Sequence, residues 1–230
     1  MRISLSAGEF EYVDSGDPAA PPAVLLHGLR GNATRWDLVA PQLAKHRRVL
    51  ALDQRGHGAS VRTPSYSYES LVDDLTEFVD HLGLETFLLV GHSMGGTVAA
   101  IYAEQYADRL TGLVLVDSVP PDGDGDWTVP PRPAEELDFD WDCLVAIFAQ
   151  MATPDPAWQA DLAKITTPTL ILGGGSTSPA PQHLLAEAAA TIPDCTLVSI
   201  EGAGHTIHQT RPAEFLAALA ARFPPPHLAG

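Results

Sequence analysis

At Val90-Gly91-His92-Ser93-Met94-Gly95-Gly96 a serine stands between glycines two residues before it and two after. Residues 86–90 ahead of it form a short apolar run, and residues 94–106 behind it are apolar on nearly every side. The pattern predicts a strand that turns at once into a helix. Such a turn strains the serine, and a side chain at Gly91 or Gly95 would collide with the neighbouring chain. The hydroxyl then projects at a helix N-terminus, where partial positive charge favours a developing anion. Ser93 is thus the candidate nucleophile. The plainer alternative is a glycine-rich turn with an incidental serine.

The rest of the chain keeps the same rhythm. Residues 3–5, 10–13, 23–26, 48–53, 113–116, 169–172 and 196–200 are further short apolar runs, most with turn residues behind them. That is the signature of strands buried in a parallel sheet. Between them lie helical patterns at 68–82, 94–106, 182–190 and 213–223. Leu71, Val72, Leu75, Phe78, Val79 and Leu82 fall on one helical face, and Gly83 ends that helix. Strands alternating with helices predict an α/β sheet covered on both faces. Residues 118–163 break the rhythm, with seven prolines, three of the four tryptophans and no convincing strand. They read as an insertion with helical pieces near 141–151 and 156–163.

Four motifs in this order give the chain a likeness to a known family. They are His27-Gly28-Leu29 after the third strand, Asp53-Gln54-Arg55-Gly56-His57-Gly58 after the fourth, the serine turn after the fifth, and Gly202-Ala203-Gly204-His205 after the last. Over nearly its whole length the chain resembles the α/β-hydrolase superfamily. The resemblance implies a mostly parallel eight-stranded sheet with helices on both faces. Residues 1–117 and 164–230 would form the core, and 118–163 a short, mainly helical lid.

A serine hydroxyl needs a base to take its proton, and histidine titrates near neutrality. Of nine histidines, His205 follows the last strand and precedes the final helix, where the superfamily keeps its base. His208 is the runner-up. The turn itself offers the Met94 amide as one oxyanion donor, and the resemblance implies the Leu29 amide as the second. The superfamily usually places an acid after the strand at 169–172, yet no carboxylate occurs between Ile165 and Ala186. A known alternative is an acid after the preceding strand, which here is Asp117. Asp122, Asp124, or a dyad in which Ser176 or water orients His205 remain open. Asp53 and Arg55 read as structural, through turn hydrogen bonds and an internal ion pair.

His27, Gly28, His92, Trp127, Trp141 and Trp158 are the expected substrate contacts, with at least two lid aromatics reserved for the lid's own core. The chain carries 13 basic and 29 acidic residues, a net charge of −16. That excess argues against nucleic acid and anionic membrane surfaces as partners. Ten acidic residues and one basic residue, Arg132, fall within 118–163. A small neutral or cationic apolar substrate is therefore expected. No histidine, cysteine or carboxylate spacing suggests a metal, and no cofactor is expected. Cys143 and Cys195 read as buried free thiols. No long apolar run exists, and Glu9 and Glu11 interrupt any leader, so a cytoplasmic protein is expected. The function expected is hydrolysis of a carboxylic ester or lactone, with thioester or carbon–carbon cleavage behind it. A lyase, a cofactor-free oxygenase or a non-catalytic binding protein on the same scaffold are the alternatives.

Overall fold

The computed structural model describes residues 1–225. In chain order its elements are β1 (Arg2–Leu5), β2 (Gly8–Ser15), β3 (Pro22–Leu26), α1 (Ala40–Leu43), β4 (Arg48–Leu52), α2 (Tyr68–His81), β5 (Phe87–His92), α3 (Met94–Gln105) and β6 (Leu110–Val116). There follow α4 (Trp141–Ala152), α5 (Pro156–Ala160), β7 (Thr169–Gly173), α6 (Gln182–Thr191), β8 (Cys195–Ser199), α7 (Ile207–Thr210) and α8 (Pro212–Arg222). The strands form one eight-stranded sheet in the order β1-β2-β4-β3-β5-β6-β7-β8. β1 and β2 pair antiparallel, as do β2 and β4; every later pairing is parallel.

Strand alternation divides the interior into two cores. Phe87 and Leu89 of β5, Leu113 and Leu115 of β6, and Ile171 of β7 face one side. Leu88 and Val90, Val114 and Val116, and Leu170 and Leu172 face the other. With both faces covered, these strands must be apolar at every position. The first core is closed by α2 and α3, the second by Trp36, Phe215 and Leu219. A reciprocal bond pair between Ser67 and Ser70 caps α2, each backbone N–H donating to the other's Oγ at 3.1 Å. Among the described residues no helix is long and apolar enough to cross a membrane.

After β6 the helical pieces stand where the sequence placed them, but the segment as a whole is not the mainly helical lid that the resemblance implies. Residues 118–140 hold no helix, and α4 and α5 follow. Nor is it a separate layer. Cys143 and Ile147 of α4, Trp158 of α5, and Leu162 are buried in the first core with Tyr68 and Met94. The glycine loop after β4 pins it further: Gly58 N–H donates to the Asp138 carbonyl at 2.7 Å and Asp140 N–H to the Gly56 carbonyl at 2.6 Å. Cys143 is buried, whereas Cys195 is only half-buried.

Candidate active site

The parallel strands end on one edge of the sheet, and the connections leaving them gather there. At the end of the central β5, Ser93 has φ 52° and ψ −120° and caps α3. That conformation is strained for a residue with a side chain. Close packing holds it. A Cβ on Gly91 would lie 2.2 Å from the Gly95 carbonyl oxygen, and one on Gly95 would lie 2.6 Å from the Leu26 oxygen on β3. The Ser118 hydroxyl, beyond β6, donates to the Ser93 carbonyl at 2.7 Å.

His205 arrives from the loop after β8. Its Nε2 lies 2.9 Å from Ser93 Oγ and its Nδ1 2.7 Å from Asp117 Oδ2. Asp117 follows β6 directly, is almost wholly buried and has φ 48°. Gly174 N–H (2.8 Å), Gln182 Nε2 (3.2 Å) and the Ser178 hydroxyl also donate to its carboxylate. The loop after β7, which carries no acid of its own, thus supplies donors to the acid of its neighbour. Ser176 instead bonds Glu201 through both its amide and its hydroxyl. The Asp122 carboxylate accepts the Asp124 amide within its own turn, at 3.0 Å.

The other histidines here are buried and partly paired. His92 Nε2–H donates to the His205 carbonyl at 2.9 Å. Its ring centroid lies 4.7 Å from that of His205 and 4.8 Å from that of His208. Burial and the neighbouring imidazoles hold its pKa well below the ordinary value. His208 packs on Trp36 with centroids 4.2 Å apart, and neither of its ring nitrogens has a partner among the described residues. Burial, then His205 and Arg35, lower its pKa to about 3.

A cavity of about 730 Å³ opens over Ser93. Gly28, Leu29, His92, Met94, Trp127 and His205 line it, and Ile147, Phe148, Met151, Leu184 and Leu185 extend its apolar wall. Gly28 must be small, because a Cβ there would come within 2.9 Å of Ser93 Cβ. The Leu29 and Met94 amides make no hydrogen bond to another group among the described residues.

Three expected contacts lie elsewhere. His27 is fully buried below the loop; its Nδ1–H donates to the Gly28 carbonyl at 2.9 Å and its Nε2 accepts the Gln54 amide at 3.0 Å. Burial lowers its pKa to about 4, so it is a neutral strut. Trp141 packs with Phe139 and Leu144 in a small cluster. Trp158 meets Tyr68 edge-on at 5.2 Å in the main core. The expected ion pair within the glycine loop is also absent. Asp53 accepts the Ala33 and Ala59 amides, while Arg55 pairs with Asp74 on α2. An arginine reaching out to a helix ties the loop to the body more firmly than a pair within it.

Residues 21–160 match the family described as alpha/beta hydrolase fold, and residues 126–219 a second described as Alpha/beta hydrolase family. The chain belongs to the α/β-hydrolase family. It is 30% identical, over 250 aligned positions, to the sn-1-specific diacylglycerol lipase ABHD11 of Mus musculus, covering 89% of this chain and 81% of that protein. Among solved structures, a hydrolase from Pseudomonas aeruginosa superposes with a TM-score of 0.82 at 26% identity, covering 96% of this chain and 97% of that one. An esterase from Thermogutta terrifontis gives 0.82 at 27% identity, covering 96% of each. This chain is an α/β-hydrolase enzyme.

Two cavity residues of this α/β-hydrolase escaped the sequence reading. Arg30 and Arg35 line the wall and are its basic residues, alongside Asp117, Asp122, Asp124 and Asp126. The cations follow β3 and the carboxylates follow β6, the two strands that flank β5. The mouth is therefore dipolar across Ser93. Both arginines are exposed, and in a sequence such residues look like any solvated surface; the fold places them on the lining of this cavity.

Proposed function

We propose that this enzyme is a serine hydrolase of a carboxylic ester or lactone. The observation that carries the reading is the unbroken hydrogen-bonded line from Ser93 Oγ through His205 to Asp117. His205 Nε2 takes the proton as Ser93 Oγ attacks the acyl carbonyl, and returns it to the leaving alkoxide. Asp117 holds Nδ1 protonated, which leaves Nε2 free to accept, and stabilises the imidazolium that forms. The tetrahedral oxygen gathers charge beside the unengaged Leu29 and Met94 amides and the positive end of α3. Water, activated by the same imidazole, then releases the acyl-enzyme. The apolar wall of Ile147, Phe148, Met151, Leu184 and Leu185 suits a small acyl chain. Trp127, Gly28 and His92 would be the contacts kept from the sequence reading.

The test is turnover of short and medium p-nitrophenyl esters and of a simple lactone by the wild type and Ser93→Ala. The reading predicts wild-type turnover that falls by about 10⁶-fold in the variant. Equal rates in the two proteins would refute it.

A further inference from the structure

We infer that Arg30 and Arg35 form a carboxylate-binding subsite beside the reacting centre, so that the preferred ester carries an acid group. The inference rests on the hydrolase reading above and names its substrate class. Both residues line the cavity that holds Ser93 and His205. The chain has 29 acidic residues against 13 basic ones, and Arg48, Arg55, Arg109 and Arg222 are each paired with an aspartate. Arg30 and Arg35 have no carboxylate partner among the described residues. Arg2, Arg47, Arg62, Arg132 and Arg211 lack one as well; what sets the exposed Arg30 and Arg35 apart is that both line the cavity, where they are available to an anion brought by the substrate.

The local backbone supports the placement. Arg30 has φ 64°, a left-handed conformation in which glycine would be unstrained. Its amide is held there by a 3.2 Å bond to His57 Nε2, with the His57 Nδ1–H donating to the Arg55 carbonyl at 3.0 Å. Arg30 directly follows Leu29, the residue whose amide is proposed to face the oxyanion, and its exposed side chain lines the same cavity. Arg35 sits one short turn further on, in the 3-10 helix Ala33–Trp36. Its stem crosses Gly31, where a Cβ would lie 3.1 Å from Arg35 Cγ and 2.9 Å from the Gly28 carbonyl oxygen. Gly31 does not have a positive φ, so its small size serves space and not conformation. The Arg35 charge is felt inside the site, since it lowers the proton affinity of His208 in the wall.

This proposal departs from the expectation of a neutral or cationic substrate. That expectation summed the charge of residues 118–163, whereas an anion in the cavity meets the groups that line it, Arg30 and Arg35 included. Three of those ten carboxylates line the cavity, and they stand on the far side of β5 from the arginines. A carboxylate a few methylenes from the ester is the group proposed to meet these cations. Bidentate geometry makes guanidinium the better partner for it than a lysine would be.

Two matched pairs of esters test the subsite, one with the acid on each side of the ester bond. Mono-p-nitrophenyl adipate is compared with its methyl-capped diester, and 4-carboxyphenyl hexanoate with 4-carbamoylphenyl hexanoate. The readout is the ratio of kcat/KM, acid over neutral, in wild type, Arg30→Gln, Arg35→Gln and the double variant. In at least one pair the wild-type ratio should exceed one, fall about tenfold in a single variant, and shrink with added salt. Arg30→Lys should recover part of it. The pair that responds tells which side of the ester bears the acid. A wild-type ratio at or below one in both pairs, or a ratio within twofold of wild type in the double variant, overturns the subsite. In that case continued turnover of the neutral esters would leave the hydrolase reading standing. If neither acid nor neutral ester is turned over, the hydrolase reading fails first and takes the subsite with it.

Discussion

Asp117 shows how much one side chain can hold. Its carboxylate takes the His205 imidazole on one oxygen and backbone and side-chain donors of the neighbouring loop on both. Asp117→Asn keeps the volume, and asparagine tolerates the left-handed backbone at φ 48°. What it loses is the anion that fixes the tautomer. Turnover should fall by about 10⁴-fold on any ester the wild type accepts, as measured by kcat, with a folded far-UV circular dichroism spectrum. A fall of less than about threefold would remove Asp117 from the mechanism. The resemblance offered Asp117 because the loop at 173–179 holds no carboxylate, and the sequence left it open beside Asp122, Asp124 and a dyad; the fold brings Asp117 to His205. The roles of His27, Trp141 and Trp158 were not legible. Their partners Gln54, Phe139 and Tyr68 are distant in sequence or met through tertiary packing, so a histidine or tryptophan near a motif looks the same whether it lines a cavity or props one.

The elements themselves were the most readable part. Short apolar runs marked all eight strands; in β3 to β7 they are nearly continuous because those strands are buried on both faces, whereas β1, β2 and β8 are partly exposed. The short α1 and α7 carry too few residues for a periodic pattern, and proline-rich 118–140 offers none. The attachment of α4 was hidden for a different reason: its apolar face fits a lid core or the main core equally well. Ile147 is fully buried in the main core. Ile147→Ala should therefore lower global stability by about 2–5 kcal/mol in urea unfolding. An unchanged midpoint would mean that α4 is an appendage. On α3, Glu104 faces the 3-10 turn Asp161–Lys164 with one carboxylate oxygen buried and unpartnered. Burial, reinforced by Asp161, raises its pKa from 4.5 to about 8. The folded protein then keeps a proton that the unfolded chain loses, so this contribution is complete below pH 4.5 and is lost as pH rises toward about 8. Glu104→Gln should raise the melting temperature at pH 8 and leave it nearly unchanged at pH 5. A variant no more stable than wild type at pH 8 would contradict this.

At the scale of the whole molecule, the buried histidines are expected to make stability fall in acid. His27 and His57 are lowered to about 4 and about 3, His208 to about 3, and His92 well below its ordinary value, in each case chiefly by burial. Unfolded, all four take up protons below pH 6.5, whereas folded they do not. Stability is therefore fully present above pH 6.5 and falls as pH drops toward 4, by roughly 1.4 kcal/mol per pH unit for each ring kept neutral. Urea unfolding at pH 7, 6 and 5 should show that slope, and a flat profile over this range would exclude it. Net charge, the coarsest property of the sequence, carries the expectation about partners, and the carboxylate subsite proposed above departs from it. The −16 total belongs to the whole chain, while the cavity is lined by Arg30 and Arg35 as well as by Asp117, Asp122, Asp124 and Asp126. Everything proposed for this enzyme rests on Ser93 being the nucleophile that His205 activates. The most direct test is reaction with a fluorophosphonate followed by peptide mass spectrometry. A single adduct on Ser93, absent in Ser93→Ala and formed far more slowly in Asp117→Asn, is the predicted result. No adduct, or an adduct on another residue while ester turnover persists, would contradict it.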